Sequence, residues 1–291
     1  MQSEQEHWSY KKHEAHEAIM ADKRNLPSSY TAPDQVDAWR HNRMHGMFAP
    51  LLKLYPKSIW MTVGDGRFGS DAHYLRSKGM DVLATSLTDE SLKQAHDRGY
   101  IDKFARMNAE KIDLANDRMD FVYCKEAYHH FPKPPVAFYE MLRVSSKGVV
   151  LIEPFEQRPR PLGFIKAVAK QKLWHQPLHF EPAGNFIYRT DPNAIFKLMC
   201  ADGHEGALAF KLFNDFYHPR LAKGRASKNS MPFFLQKLAL GIMNTLCRLK
   251  LMDYGLICLV ALRDKPSEQA GKELARAGFK IIELPKNPYK N

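Results

Sequence analysis

"WMTVGDGRFGSDAHYLRSKG", residues Trp60 to Gly79, decides how this chain reads. A strand-forming run, Trp60 to Val63, enters a loop carrying Gly64, Gly66 and Gly69, and a helical segment follows up to Gly79. Glycine lets a backbone turn sharply and approach a ligand closely. The helix that follows offers free N–H groups and the positive end of its dipole. The loop therefore suits a nucleotide-like cofactor, and its spacing alone leaves a dinucleotide open. A dinucleotide site expects an acid at the end of the second strand for the ribose hydroxyls. In "DVLATSL" that place holds Ser86.

Working outward, strand and helix patterns alternate. Strands are expected at 58–63, 81–87, 104–109, 119–126, 148–154, 205–213 and 254–262, with a short one at 279–283. Helices are expected at 70–78, 89–98, 135–143, 191–201 and 231–251. Ahead of them, Asp34 is a candidate N-cap for a helix with Val36, Trp39, Met44, Met47, Phe48 and Leu51 on its apolar face. Such alternation implies an α/β fold with a parallel sheet covered on both faces. Two stretches break the rhythm, 155–188 and 214–252, and read as insertions. The expected organisation is an N-terminal helical extension and linker (1–33), a main domain (34–265) and a C-terminal helix–strand extension (266–291).

The chain has 291 residues and a net charge of +11, so an acidic partner is expected. The first insertion carries Arg158, Arg160, Lys166, Lys170, Lys172 and His175, and the second Tyr217, His218, Arg220, Lys223, Arg225 and Lys228. Cys124, Cys200, Cys247 and Cys258 form no CxxC pair, and the N-terminus lacks the apolar core of a signal peptide, so reduced thiols and a cytoplasmic location are expected. His13 and His16 in "HEAHEA" are spaced i,i+3 rather than as H-E-x-x-H, and no metal is expected.

The ordered set "VGDGRFG … VLATSLTDESL … MNAEKIDLANDRMDFVYCKEAYHHFPKPP … GVVLIEP" resembles class I S-adenosylmethionine-dependent methyltransferases of the type 11 kind. The resemblance covers about 36–154 and resumes at "YRTDPNAIFKLMCADGHEGALAFKLF" and "YGLICLVALRDKP". It implies a Rossmann-like, seven-stranded, mostly parallel sheet whose last strand is antiparallel and inserted between strands five and six. It also implies S-adenosyl-L-methionine as cofactor. Gly64 and Gly66 would then lie against its methionine part, Ser86 at its ribose and Asn108 and Ala109 at its adenine, with Asp65, Gly69, Leu87 and Glu110 also binding it. Backbone at Cys124 and Lys125 would meet the ammonium group, and Arg43 could reach the carboxylate. Thr62, Ser86 and Asn108 stand where the family usually has acids, with Asp65 as a stand-in for the missing charge.

Methyl transfer needs an acceptor held in line and, for a hydroxyl, a base. "KEAYHHFP" follows the fourth strand. It offers His129 as base, His130 in a structural role and Tyr128 as a third candidate for chemistry. Glu126, Glu153, Arg189, Tyr217, His218 and Arg220 are candidates for substrate contact. Glu126 and Glu153 could instead orient a histidine. The expected activity is O-methylation of a small or glycan-linked anionic acceptor. An RNA methyltransferase and a non-catalytic cofactor-binding scaffold are the alternatives; nucleic acid is not favoured, since no RNA-binding module or base-methylation motif is visible. The stripe Phe234, Leu238, Ile242, Leu246 and Leu249 in the second insertion is expected to pack on the domain or on a second copy, ahead of a membrane surface.

Overall fold

The structure, a computed structural model, describes residues 10–12, 14, 26–156, 160–163, 179–180 and 186–289. One eight-stranded sheet organises them, in the order β3-β2-β1-β4-β5-β7-β6-β8. The strands are β1 (Ile59–Val63), β2 (Asp81–Ser86), β3 (Lys103–Arg106), β4 (Met119–Lys125), β5 (Ser145–Pro154), β6 (Ala207–Phe213), β7 (Leu256–Leu262) and β8 (Lys280–Glu283). The first five are mutually parallel, and β7 runs antiparallel to both β5 and β6. The inserted antiparallel strand is thus where the sequence puts it. The count is eight rather than seven because the short strand of the tail pairs with β6 at the sheet edge.

Alternation along the central strands builds two cores. Trp60, Phe121, Tyr123, Val150 and Ile152 face one side, and Met61, Val63, Val122, Cys124, Val149 and Leu151 the other. Helices α1 (Val36–His45), α2 (Ala49–Leu54), α3 (Ser70–Ser77), α4 (Glu90–Asp97), α5 (Pro134–Val144), α6 (Pro192–Ala201), α7 (Met231–Arg248) and α8 (Glu268–Arg276) complete the fold. Strand β1 lies between β2 and β4, so the chain leaves β1 and β4 in opposite directions. The crevice beyond their C-terminal ends is where such sheets bind ligands.

The helix expected from Asp34 is two helices. Its N-cap is Gln35, in extended conformation, while Asp34 pairs with Arg225 at 3.3 Å and its carbonyl accepts from Ala226 N–H. A 3-10 turn, Gly46–Phe48, separates α1 from α2, and Pro50 near the start of α2 lacks the N–H that a continuous helix needs. Among the described residues no group of His, Cys, Asp and Glu could hold a metal ion. His13, His16, Arg158, Lys166, Lys170, Lys172 and His175 lie outside the described residues.

Candidate functional site

The turn after β1 is shaped by its glycines. Gly64 has φ +71°, and a Cβ there would sit 2.5 Å from Ala127 Cβ. Gly69, at φ +64°, caps α3 in the left-handed region, with Ile101 2.9 Å from where a Cβ would be. Only glycine meets both demands. The loop bends round a cavity of about 910 Å³, open mouth included, lined by Val63, Gly64, Gly66 and Arg67 from the loop and Leu87 from the end of β2. Met107, Asn108, Ala109 and Glu110 line it after β3, and Glu126, Ala127, His130, Phe131 and Pro132 after β4. Glu126 holds a strained positive φ of 51° at the cavity wall.

This set fits the cofactor the sequence implies. Val63, Leu87, Met107, Ala109 and Phe131 give an apolar bed for a purine, Glu110 and Glu126 are acceptors, and Arg67 is a cation for a carboxylate. Residues 61–152 match the family model described as "Methyltransferase domain". YcgJ from Bacillus subtilis is similar in fold: TM-score 0.51, 13% identity, 78% of this chain and 100% of that chain covered. An S-adenosylmethionine-dependent methyltransferase from Thermotoga maritima is 16% identical, with TM-score 0.49 and coverage of 85% of this chain and 99% of that one. One from Methanosarcina mazei is also 16% identical, with TM-score 0.46 and coverage of 75% and 98%. No curated protein matches the chain. Residues 61–152 are thus a methyltransferase domain, set in a chain with the Rossmann-like methyltransferase fold.

Within that methyltransferase domain, several expected site residues do not reach the cavity. Asp65, expected to stand in for the missing acids, turns inward and is 2% exposed. Its carboxylate accepts from Asp71 N–H at 3.1 Å, Ala72 N–H at 2.9 Å and the Thr62 hydroxyl at 2.9 Å. It therefore ties the start of α3 to the end of β1. Burial, and next the charge of Asp71, push its pKa well above the usual carboxylate range, against the pull of those hydrogen bonds. Ser86, expected at the ribose, is buried as well and does not line the cavity, while Leu87 beside it does. Asn108 lines it, with its side-chain carbonyl accepting from Glu110 N–H at 2.9 Å.

Arg43 is a correction. Its guanidinium donates to Asn214 O at 2.6 Å and Asp215 at 3.0 Å, so it ties α1 to the second insertion instead of reaching a cofactor. Arg67, inside the glycine loop, is the cation on the cavity wall. Sequence reading missed it because a loop arginine between two glycines looks like solvated charge. Tyr10 was missed too. The N-terminal segment reads as an exposed helix, yet Tyr10 lines the cavity and donates to Glu110 at 2.6 Å. Glu14 pairs nearby with Arg106 at 3.1 Å.

Strand β4 ends on an alternation. The Cys124 and Lys125 side chains are buried away from the cavity, and Glu126 faces it. Lys125 Nζ lies 3.5 Å from Asp71 and 3.3 Å from Glu126. Burial alone would lower the Lys125 pKa, but the two carboxylates outweigh it and hold the ammonium protonated. For Glu126, burial would raise the pKa, while Lys125, His129 and Arg40 bring it below the ordinary value.

The two histidines lie at different depths. His130 is on the cavity wall, and His129 is 5% exposed. His129 Nδ1 lies 2.5 Å from Glu153 Oε2. The other oxygen of Glu153 accepts from Ala127 N–H and Tyr128 N–H, both at 3.0 Å. Glu153 is fully buried, so its carboxylate meets His129 and two backbone N–H groups and not the cavity. Tyr128 is fully buried too, its ring against Phe131 and Tyr188, and burial pushes its pKa far up. That is a core position, not a catalytic one.

The second insertion does not roof the cavity. None of Tyr217, His218 and Arg220 is among the lining residues, and all three are exposed. Tyr217 stacks under Arg40, 4.8 Å from guanidinium to ring, and Arg40 is itself held by Asp37 and Asp215. Arg189 is half-buried beside the Phe155–Thr190 bridge, again off the cavity wall.

Proposed function

We propose that this methyltransferase methylates an oxygen of a small or glycan-linked anionic acceptor, with His129 as the general base. The observation that carries the proposal is the buried Glu153–His129 contact of 2.5 Å just beneath the cavity wall, with the His129 ring 3.9 Å from that of His130 on the wall. A carboxylate on Nδ1 fixes the imidazole tautomer, directs Nε2 and stabilises the imidazolium once a proton arrives. A base so oriented suits a hydroxyl acceptor, which must lose a proton as its oxygen takes the methyl group. S-adenosylmethionine, when bound, supplies an electrophilic methyl on a sulfonium. Arg67 would hold its carboxylate, Glu126 its ammonium, and the apolar bed beside Asn108 its adenine. An anionic acceptor agrees with the basic balance of residues 155–235, which hold twelve Lys and Arg against six Asp and Glu.

Calorimetry with S-adenosylhomocysteine tests the reading. Micromolar binding is expected, weakened about tenfold by Arg67→Gln through loss of the charge-assisted contact. No binding in that range would leave a scaffold in place of an enzyme.

A further inference from the structure

The stripe on α7 does not pack on the domain. Phe233, Gln236, Leu240 and Cys247 form the buried face of the helix, with Phe233 edge-on to Trp39 of α1 at 5.0 Å. The opposite face is open: Met231 is 65% exposed, Phe234 57%, Leu238 47%, Ile242 53% and Leu249 63%. The first four recur at three- and four-residue steps and Leu249 lies seven residues beyond Ile242, so they form one line along the helix. A groove beside them is lined by Phe234, Lys237, Leu238, Gly241, Ile242 and Leu246. Monomeric proteins seldom leave so continuous an apolar line bare without a use for it.

The charge around the line selects the occupant. From Phe216 to Met252 the chain carries Arg220, Lys223, Arg225, Lys228, Lys237, Arg248 and Lys250 and no Asp or Glu. All seven cations are exposed, and Arg225 pairs with Asp34. A two-fold contact between copies would bring this all-cationic segment against itself. An anionic bilayer offers both partners the surface needs: acyl chains for the stripe and headgroup phosphates for the Lys and Arg. The helix is long enough to lie on a bilayer, and no described helix is long and apolar enough to cross one. Strand β6 runs parallel to β5, so the insertion leaves the sheet at the same edge as the cofactor cavity. We propose that α7 docks the protein on anionic lipid, lying in the headgroup region with Phe234, Leu238 and Ile242 inserted.

The test is sedimentation of the full chain with phosphatidylcholine vesicles, with and without phosphatidylglycerol. Binding is expected to the anionic vesicles only and to fall with added salt. The variant Phe234→Ser, Leu238→Ser, Ile242→Ser removes exposed groups and is expected to fold and to bind about tenfold or more weakly. Lys237→Gln, Arg248→Gln, Lys250→Gln is expected to weaken binding comparably, by an independent route. Absence of binding to anionic vesicles would overturn the proposal, as would binding that the apolar variant leaves unchanged. A dimer in lipid-free light scattering that Leu238→Ser dissolves would assign the stripe to a second copy and overturn it equally.

Discussion

The cavity side of this site and the layer just beneath it are built from neighbouring residues with opposite fates. Gly66 and Arg67 face the cavity, and Asp65 turns under. Glu126 faces it, and Lys125 turns under; His130 faces it, and His129 turns under. The cavity side keeps groups that can meet a ligand. The layer beneath holds the Asp65 carboxylate, which accepts from the Asp71 backbone N–H, and two side-chain pairs, Asp71–Lys125 and Glu153–His129. Beneath the wall that carries Glu110 and Glu126, Asp65 and Glu153 bond to backbone N–H groups and to the His129 imidazole. Buried charges persist only when paired or hydrogen-bonded, which is why the under-layer is so fully connected.

The sharpest way to break this contrast is to exchange the fates of the two histidines. His129→Ala is expected to lower kcat by about 10²-fold or more, with cofactor affinity little changed. His130→Ala is expected to act mainly on affinity. Steady-state kinetics with calorimetry separates them, and the reverse pattern would make His130 the base. The second effect is on stability. Asp65→Ala removes the acceptor that ties β1 to α3 and leaves the buried Thr62 hydroxyl unpaired, at a cost of about 2 kcal/mol. Denaturant melting measures it; an unchanged midpoint would return Asp65 to a ligand-binding role.

The smallest effect is in pH. His45 is buried, bonded through Nδ1 to the Tyr123 hydroxyl at 2.9 Å, with Asp71 3.6 Å from Nε2 and Tyr74 stacked on its ring. Burial, and then the Lys125 charge, hold its pKa well below 6.5. The unfolded chain therefore takes up a proton that the native state refuses, and stability from this group is lost as pH falls below about 6.5. Melting temperatures are expected to fall more steeply toward pH 5 in the parent than in His45→Gln. Equal slopes would show that the site does not titrate in this window.

Much of this was legible in the chain itself. The glycine loop, the order of strands and helices, and the inserted antiparallel strand follow from local pattern: period-two burial, helix signals, and glycines where a turn needs positive φ. Gly64, Gly66, Leu87, Asn108, Ala109, Glu110, Glu126 and His130 do line the cavity. What the sequence could not settle is the direction each side chain takes. Asp65 and Arg67 stand two positions apart in one loop, and only the path of that loop sends one inward and the other to the wall. Arg43 looks free until β6 brings Asp215 beside it, 172 residues away. The stripe on α7 is visible as a stripe, but which face is covered depends on the angle at which α1 meets it. Sequence determined the elements and the chemistry available to them, because backbone preference and periodicity are local. Tertiary structure alone decided which groups share a cavity and which neutralise one another, because partners distant in the chain compete for every buried charge.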